Sequence, residues 1–396
     1  MTHKTVDFLV VGGGIFGLTA VLELRARGYT ATLIDQGQIP HPLAASTDVS
    51  KVVRMEYGTD DLYFEMVDQA IDGWHAWNEQ FGTTLYHETG VTMLARGAMA
   101  PGGYEYESYQ RLLAHGRAPQ RLDSAAIARR FPAWNAEVYV DGFFNPRAGF
   151  AESGRVVGTL AEAARQSGVT VLEGHTAVSL QTDGQKVTGI HTAEGETFTA
   201  GHVIIAAGAW TQVLLPELQP QMQATGHPVF HLKPDNPELF TPPNFVVFTA
   251  DIANSGWYGF PLHPTEGIVK IANHGVGQVL HPARDERLVT AVDEANLRRF
   301  LQETFPALAS APIVYTRRCL YNDTRDEHFW LDQHPTLAGL TVAAGGSGHG
   351  FKFAPVLGRL IADTAVGQAN DWLPRFRWRD IAHLAHGQEA ARYHGE

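Results

Sequence analysis

Cysteine is almost missing from this sequence of 396 residues, which contains only Cys319. A single cysteine cannot form an intramolecular disulfide or supply a zinc-binding cysteine cluster, so the fold has to be held by packing and no metal site is expected. Basic residues are also scarce, because 30 Lys and Arg stand against 42 Asp and Glu and give a net charge of -12 at pH 7. This acidic balance argues against a nucleic-acid partner, since phosphate binding needs a basic surface.

Long apolar stretches are missing as well. No run approaches the roughly 18 to 20 residues that a membrane span needs. The run from Phe8 to Leu24 is interrupted by glycines, contains Glu23 and lacks the small-residue cleavage site of a signal peptide. The sequence therefore predicts a cytoplasmic protein without a membrane partner, either a monomer or a simple homodimer.

The composition, with 44% hydrophobic residues, 18% charged residues and 40 glycines, is that of a soluble globular α/β protein. The length is roughly two to three times that of a typical domain, so one two-lobed unit and two domains are both compatible with it. The chain opens with a complete βαβ unit. Its patterns predict a strand from Val6 to Val11, a helix from Ile15 to Arg27 and a strand from Thr30 to Asp35.

Gly12, Gly14 and Gly17 fit the G-x-G-x-x-G pattern between the first strand and the helix. The first glycine permits a tight turn, the second lets a pyrophosphate approach the backbone, and the third lets the helix pack on the strand. The helix N-terminus adds unpaired N–H groups and a positive dipole end, and Asp35 can accept hydrogen bonds from ribose hydroxyls. An ordinary glycine turn is the alternative, but the βαβ context and the acidic residue favour a dinucleotide site.

The dinucleotide could be FAD or NAD, and the middle of the chain bears on this choice. Two alternating runs meet at the hairpin signal Asp183-Gly184, and a further strand from Thr197 leads into VIIAAGAW. A β-meander that returns the chain to the dinucleotide after an insertion is typical of FAD-binding proteins, so FAD is favoured. Residues 83–150 show short strand-like runs. We predict a discontinuous FAD-binding domain over residues 1–82, 151–212 and 316–396, and a substrate domain over residues 83–150 and 213–315.

Four motifs occur in a fixed order: the glycine fingerprint, GFP from Gly259, CLYNDTRDEHFWLDQHP from Cys319 and GGSGHGFKFAPVLG from Gly345. With them the chain resembles the sarcosine oxidase family of flavin-dependent amine oxidases, which includes N-methyltryptophan, pipecolate and fructosyl-amino-acid oxidases. The resemblance spans nearly the whole length. It implies an α/β fold, with a Rossmann-like FAD-binding domain of the glutathione-reductase type and a second, mixed α+β substrate domain built on an antiparallel sheet.

Members of this family attach FAD covalently through a cysteine, and Cys319 occupies the matching place in CLYNDTRDEHF. The chemistry agrees with this role. A thiolate adds to the 8-methyl position of an oxidised flavin, and neighbouring cations such as Arg317 or Arg318 favour the ionised thiol. The alternative is that Cys319 is a small buried hydrophobic residue, which is the usual place of a lone cysteine.

The resemblance also assigns catalytic and substrate-binding residues. Lys270, in GIVKIAN, matches the lysine near flavin N5 that promotes the reaction with O2 by stabilising developing negative charge; the alternative is a strand lysine that points to solvent. Lys352 and Arg54 match residues that bind the substrate carboxylate, and an ordinary helix-start lysine and surface arginine are the alternatives. Tyr258 and His274 match residues of the substrate pocket, although a packed core tyrosine and histidine fit them nearly as well.

The loop from Ser347 to Phe351 is rich in glycine, which lets the backbone come close to a ligand. The helix that follows directs its dipole at the loop, where it would stabilise an anionic reduced flavin; a second phosphate site is the competing explanation.

The other residues that the resemblance places at the cofactor are Ile15, Phe16, Ser50, Lys51, Val178, Ala207, Gly208, Gly346, Gly348, His349, Gly350, Phe351 and Lys352.

One segment departs from the family. Sarcosine oxidases typically carry a histidine-containing segment and an arginine where this chain has Ser46, Thr47, Asp48 and Lys51. This argues against sarcosine itself as the substrate. Fructosyl-amino-acid oxidases resemble the chain here, with a lysine beside the flavin, so a bulkier N-substituted amino acid is a candidate.

The sequence therefore predicts an oxidase that takes a hydride from the carbon next to a neutral secondary amine, with hydrolysis of the imine and release of hydrogen peroxide. Its partners would be an amino-acid-like amine and O2. A cationic pocket of Lys51, Arg54, Lys270 and Lys352 would favour the neutral amine and hold the carboxylate. The alternatives are a dehydrogenase that passes electrons to a quinone or carrier protein, and a flavin-containing protein that binds a ligand without turnover.

Overall fold

Two large β-sheets organise the computed structural model, which describes residues 5–385 and 390–393. The strands in this part of the chain are β1 (Val6–Val11), β2 (Ala31–Asp35), β3 (Lys51–Val53), β4 (Tyr86–His87), β5 (Val91–Ala95), β6 (Gln120–Asp123), β7 (Asp141–Asn145), β8 (Gly149–Ala151), β9 (Thr170–Glu173), β10 (Ala177–Asp183), β11 (Lys186–Thr192), β12 (Thr197–Ile205), β13 (Met222–Leu232), β14 (Val247–Ala250), β15 (Trp257–Gly259), β16 (Val269–Asn273), β17 (Gln278–Val279), β18 (Ile313–Thr324), β19 (Trp330–Gln333) and β20 (Leu340–Ala344). The α-helices are α1 (Ile15–Ala26), α2 (Asp61–Phe81), α3 (Tyr104–Ala114), α4 (Ser124–Arg130), α5 (Ser153–Gln166), α6 (Thr211–Leu214), α7 (Ile252–Ser255), α8 (Ala291–Thr304) and α9 (Ala354–Val366).

The first sheet has the order β10-β11-β12-β1-β2-β9, and β20 joins it beside β12. β1 lies parallel to both β2 and β12, and β12 lies parallel to β20. The residues of β1 and β20 are mostly apolar and buried, as expected for strands that are covered on both faces. Because parallel strands end at the same edge, the segments after β1, β2, β12 and β20 meet there, which is where such sheets bind ligands.

The first sheet confirms two predictions from the sequence. The predicted βαβ unit is present as β1, α1 and β2, and the meander is present as the antiparallel strands β10, β11 and β12. β12 begins as part of this meander and ends as a parallel strand beside β1. The meander therefore leads the chain directly back to the dinucleotide edge.

The second sheet has the order β17-β13-β16-β15-β14-β5-β7-β6, with β18 on the other side of β13. Its pairs are antiparallel apart from β5 with β14. A separate core rich in aromatic side chains lies against this sheet, with Phe131, Trp134, Phe248 and Phe305 among its buried members. The predicted fold class is thus confirmed: an α/β dinucleotide domain and a mixed α+β domain on a largely antiparallel sheet.

Two features differ from the simple pattern expected along the chain. Residues 83–150 contain the helices α3 and α4 as well as short strands, and the few buried apolar residues of α3 left little helical period to detect. The proposed domain boundary at residue 316 falls inside β18, which pairs with β13 over most of its length. No helix in residues 5–385 or 390–393 is long and apolar enough to cross a membrane.

Candidate active site

A cavity of about 400 Å³ lies at the carboxyl edge of the first sheet. At its base Gly12 has φ +113°, and a Cβ atom there would lie 2.4 Å from the carbonyl oxygen of Ala206 at the end of β12. A Cβ atom on Gly17 would lie 1.9 Å from the carbonyl oxygen of Gly12. The turn therefore tolerates only glycine at these two positions, because any side chain would push α1 off β1 or block the approach to the turn.

The N-terminus of α1 opens into this cavity. Gly14 precedes the helix without a side-chain cap, and the first turn contains no acidic residue, so the positive end of the helix is available to an anion. Ser46 supports the turn by accepting a hydrogen bond from the amide of Ile15 at 2.9 Å. Asp35 accepts from the amides of Gly13 at 2.7 Å and Gly37 at 2.9 Å.

Asp35 thus fixes the glycine turn in addition to facing the cavity, and burial raises the pKa of its carboxyl group. From the sequence, only a ribose-binding role was predicted for Asp35. The predicted cofactor-binding residues that line the cavity are Gly12, Gly14, Ile15, Phe16, Asp35, Lys51, Val178, Ala207, Gly208, Gly346, Gly348, Gly350 and Phe351. A glycine cradle, an open helix N-terminus and a long cavity between the sheet edge and a second glycine-rich loop together fit an FAD molecule.

Cys319 lies on β18 and is 1% exposed. It packs among Val229, Ala272, Tyr258 and Tyr321. The next residues of the strand, from Leu320 to Asn322, line the large cavity. The thiol is therefore held directly beside the cavity wall.

Only one of the two arginines before Cys319 reaches the thiol. Nη2 of Arg317 lies 3.9 Å from Sγ of Cys319. Arg318 projects from the other face of the strand, where it donates to the carbonyl oxygens of Leu288 and Gly226 and forms an ion pair with Asp293. Alternation along β18 explains the difference, since residues 317 and 319 share one face.

A second, smaller cavity of about 50 Å³ adjoins the first. The two cavities share four lining residues, Lys51, Tyr321, Gly348 and Phe351. The predicted catalytic and substrate-binding residues that line the smaller one are Lys51, Arg54, Tyr258, His274 and Lys352, and His349, predicted at the cofactor, lines it as well. Within the described part of the chain, Gly17, Ser50, Lys270 and Cys319 lie outside the lining of either cavity.

Arg54 and Lys352 are both buried at the smaller cavity. Arg54 donates to the hydroxyl of Tyr104 at 2.7 Å and contacts the carbonyl oxygen of Glu56. Lys352 donates to the hydroxyl of Tyr57 at 2.8 Å and to the carbonyl oxygen of His349 at 3.0 Å. Both cations line the smaller cavity, where a cationic side chain can attract a carboxylate.

Two buried acids stand close to Arg54 and were missed from the sequence. Asn145 donates to the carboxylate of Glu56 at 2.7 Å, and burial raises the pKa of Glu56. Burial likewise raises the pKa of Glu105 to about 7. No motif marks these residues: Glu56 lies two residues after Arg54 in the same segment, whereas Glu105 lies on α3 and comes close to Arg54 only in the fold.

Lys270 is 1% exposed and its ammonium lies 2.7 Å from Oδ2 of Asp48. It also donates to the carbonyl oxygen of Ser50 and lies 4.8 Å from the ring centre of Phe260. Burial lowers the pKa of Lys270 to about 8. Burial pushes the pKa of Asp48 upward, but the Lys270 ammonium and a hydrogen bond from His231 outweigh it and hold that pKa well below its usual value.

Tyr258 and His274 face each other across the smaller cavity with perpendicular rings, 6.5 Å between centres. Burial raises the pKa of the Tyr258 hydroxyl, which keeps this group neutral. Behind them, His227 stacks on Tyr321 at 4.1 Å. The aromatic rings thus form an apolar wall next to the cations.

Arg392, near the C-terminus, holds the glycine-rich loop after β20 in place. Ser347 has φ 44° and its carbonyl oxygen accepts from Arg392 at 3.1 Å. Arg392 is buried and forms ion pairs with Asp323 at 2.8 Å and Glu327 at 2.7 Å. After the loop, a short 3₁₀ turn, Gly350–Phe353, leads into α9, so the helix begins slightly later than the sequence suggested.

Comparison with known proteins gives one consistent picture. Residues 7–364 match the family described as FAD dependent oxidoreductase. The chain is 29% identical over 368 residues to a monomeric sarcosine oxidase of Bacillus sp. (strain NS-129), covering 91% of this chain and 92% of the relative. It is 28% identical over 369 residues to an N-methyl-L-tryptophan oxidase of Salmonella dublin, covering 92% and 96%. The crystal structure of a fructosamine oxidase from Aspergillus fumigatus superimposes with a TM-score of 0.84 at 25% identity, over 100% of this chain and 95% of the other.

Proposed function

Because the chain belongs to the FAD dependent oxidoreductase family, as an FAD-dependent amine oxidoreductase of the sarcosine oxidase type, we propose that it oxidises the secondary amine of an N-substituted amino acid with O2. The family resemblance seen in the motifs is confirmed. The substrate, the acceptor and the roles of individual residues are proposals. The predicted cytoplasmic location and the monomeric or homodimeric state also stay predictions.

The observation that carries this proposal is the junction of the two cavities. The large cavity fits FAD, which when bound supplies the hydride acceptor and the route for electrons to O2. The small cavity adjoins it and is lined by the cations Arg54 and Lys352. A substrate carboxylate held by these two cations would place the neighbouring amine at the shared wall of Lys51, Tyr321, Gly348 and Phe351.

The charges around the small cavity also favour the reactive form of the amine. An amine has to be neutral for its lone pair to assist departure of a hydride from the adjacent carbon. Lys51, Arg54 and Lys352 line the cavity, and like charges nearby lower the pKa of an ammonium group. Tyr258 and His274 would close the apolar side of the cavity around the substituent, and the imine product would hydrolyse in water.

Covalent attachment of FAD through Cys319 is part of the proposal. The thiol is buried beside the large cavity and Arg317 lies 3.9 Å from its sulfur. A guanidinium at that distance favours the thiolate that has to add to the flavin ring. Packing of Cys319 in a small apolar cluster is the alternative that an extraction experiment would reveal.

Lys270 is proposed to support the reaction with O2. Its ammonium donates a hydrogen bond to the carbonyl oxygen of Ser50, in the peptide bond that joins Ser50 to Lys51. Lys51 lines both cavities, so the ammonium lies close behind their shared wall. A positive charge at this depth stabilises negative charge that develops on O2. Asp48 forms an ion pair with Lys270 and so reduces the net charge of the site. The protonation of either side chain therefore depends on the other.

Two other functions are compatible with this site, and one of them has specific support. A fructosyl-amino-acid oxidase is favoured by Lys51 and by the likeness to the fructosamine oxidase of Aspergillus fumigatus. A dehydrogenase that passes electrons to another acceptor would use the same two cavities. Hydrogen peroxide measured against imine separates an oxidase from a dehydrogenase, since an oxidase forms the two in equal amounts.

The decisive experiment is a peroxide-coupled screen of the purified holoenzyme with N-methyl, cyclic and sugar-derivatised amino acids. We expect peroxide with at least one class, and a loss of turnover when the same amine lacks the carboxylate. If none of these compounds bleaches the flavin absorbance under anaerobic conditions, the chain is not an oxidoreductase of N-substituted amino acids, and ligand binding without turnover becomes the better description.

A further inference from the structure

A row of polar side chains crosses three neighbouring strands of the second sheet. His231 on β13 pairs with Lys270 on β16, and on its other side it pairs with Tyr315 on β18. Residues directly opposite each other in antiparallel strands project from the same face of the sheet. Lys270, His231 and Tyr315 therefore stand side by side on one face.

Asp48 bridges the first two members of this row. Its Oδ2 lies 2.7 Å from Nζ of Lys270 and its Oδ1 lies 3.0 Å from Nε2 of His231. The side chains of Lys270 and Asp48 are 2% exposed and that of His231 is 9% exposed. An ion pair to Lys270 and a hydrogen bond to His231 thus connect the two side chains through Asp48.

The outer end of the row reaches the surface and the inner end reaches the cavities. The ring of His231 lies 4.9 Å from that of Tyr315, which is 43% exposed. At the inner end, Lys270 donates to the carbonyl oxygen of Ser50 and lies over Phe260, which lines the smaller cavity. The row connects the wall of the active site with solvent.

The stoichiometry of the proposed reaction needs such a connection. Reduction of one O2 to H2O2 takes up two electrons and two protons. A hydride taken from the substrate brings both electrons and one proton. The second proton balances the one that the substrate nitrogen releases when the iminium becomes the imine, and the protein or solvent has to deliver it to oxygen. Lys270 is the nearest buried proton donor in the row, and after giving up a proton it needs a way to regain one without opening the site.

We propose that Asp48 and His231 form a proton relay that reloads Lys270 from solvent. Lys270 gives one proton from Nζ to reduced oxygen. Protonated His231 passes its Nε2 proton to Oδ1 of Asp48, and the carboxyl group turns about its Cβ–Cγ bond and delivers the same proton to Nζ of Lys270, which returns Asp48 to the carboxylate. His231 then regains a proton from a hydronium ion in the solvent beside Tyr315. Each cycle moves one proton inward and leaves the three side chains unchanged. The relay rests on the proposed oxidase function and adds Asp48 and His231 to it.

The groups that face this row are few in the described part of the chain. Lys51 and Cys319 act electrostatically on Lys270, and Arg317 and Lys51 act on Asp48. Tyr315 faces His231. Because burial brings the pKa of Lys270 to about 8, its ammonium can both lose and regain a proton near neutral pH, as a relay requires.

His231→Gln tests the relay, because glutamine can keep a hydrogen bond to Asp48 but cannot pass a proton on. In the holoenzyme, we expect anaerobic reduction by substrate to keep its rate and the reaction of reduced enzyme with O2 to slow by roughly 10²-fold. Added imidazole should restore much of the lost rate. His202→Gln is the matched control, since His202 is a part-buried histidine that bonds Thr341 in the first sheet.

A second measurement does not depend on turnover. Exchange of the Lys270 ammonium protons with water can be followed by NMR on protein labelled with ¹⁵N-lysine, with Lys270→Arg to assign the signal. We expect His231→Gln to slow this exchange about tenfold or more, while His202→Gln leaves it unchanged.

The relay is overturned if proton exchange and the O2 reaction both match wild type in His231→Gln. It is also overturned if that variant slows flavin reduction and reoxidation equally without a response to imidazole, because His231 is then only a brace for Asp48. Failure of the wild-type protein to oxidise any amine would refute the proposed function, while the exchange measurement would still decide whether His231 carries protons to Lys270.

Discussion

The guanidinium of Arg317 lies 3.9 Å from the sulfur of Cys319. The neighbouring Arg318 lies on the opposite face of β18 and pairs with Asp293. Two adjacent arginines of equal charge thus differ in their relation to the one thiol of the chain. This difference provides an internal control for the proposed covalent link.

Cys319→Ser should leave FAD extractable by acid precipitation, whereas wild-type protein should retain its colour in the pellet. Arg317→Gln should lower the covalently bound fraction, because the thiolate loses its cation. Arg318→Gln should keep that fraction, with circular dichroism used to confirm that it folds. Flavin that is fully extractable from wild-type protein would disprove the link.

Lys270→Met should slow the reaction of reduced enzyme with O2 by roughly 10²-fold or more, because the developing negative charge loses its cation. The reduction of the enzyme by substrate should change much less. Rapid-mixing measurements of the two half-reactions make the comparison, and Lys270→Arg serves as a control that keeps the charge. Equal slowing of both half-reactions would contradict the assigned role.

The O2 half-reaction should slow as the pH rises through about 8, where Lys270 loses its proton. Above this value the rate should fall by up to about tenfold per pH unit. Reoxidation rates from about pH 6 to about pH 10 measure this dependence, and Lys270→Arg should flatten it. A rate that rises across this range would contradict the protonated lysine as the active form.

Lys270 and Asp48 make contributions of opposite sign to the free energy of unfolding. The folded pKa of Lys270 lies below its ordinary value of 10.5, so burial of the charged lysine costs stability below about pH 8 and this cost fades as the pH approaches 10.5. The depressed pKa of Asp48 contributes stability above its ordinary value, which is lost as the pH falls through the folded pKa. Urea unfolding of wild type against pH separates the two terms, because the Lys270 term changes between about pH 8 and 10.5 and the Asp48 term changes below the ordinary carboxyl value of 3.8.

Gly12→Ala should abolish cofactor binding, since its Cβ atom would lie 2.4 Å from the carbonyl oxygen of Ala206 and the turn has φ +113°. Gly97→Ala is the matched control, because no atom lies within 4 Å of its Cβ position. The ratio of flavin to protein absorbance in the purified proteins measures the effect. A Gly12→Ala protein with full flavin content would contradict the assignment of the large cavity.

Arg392→Gln should lower the free energy of unfolding by about 3 to 5 kcal/mol, because it leaves two buried carboxylates without their cation. These are Asp323 and Glu327. Arg96→Gln, which breaks a half-exposed pair with Glu303, should change it by only about 0 to 1 kcal/mol. Chemical denaturation measures the free energy of unfolding of both variants. Equal effects would show that Arg392 does not form the buried ion pairs with Asp323 and Glu327.

The sequence predicted what local patterns determine. The glycine turn, its βαβ unit and the hairpin at Asp183 depend on residues close together in the chain, and the structure confirms all three. The partners of Lys270 were out of reach, because Asp48, His231 and Lys270 come from distant segments that meet only when β13 and β16 pair. Arg392 was missed for the same reason.

Strand alternation shows a second limit. The sequence placed Arg317 and Arg318 equally near Cys319, and a strand prediction over this segment would have separated them at once. The helices α3 and α4 were missed because their apolar positions are few, so the burial of Tyr104 beside Arg54 could not be foreseen. The sequence therefore predicted which residue types stand at the site, but it could not predict which side chains they contact.

The turn after β1 and the loop after β20 form opposite walls of one cavity, although they come from opposite ends of the chain. A nascent polypeptide carries the first wall long before the ribosome has made the second. The flavin therefore has no complete place to dock until the loop after β20 has been synthesised and has folded against the turn after β1.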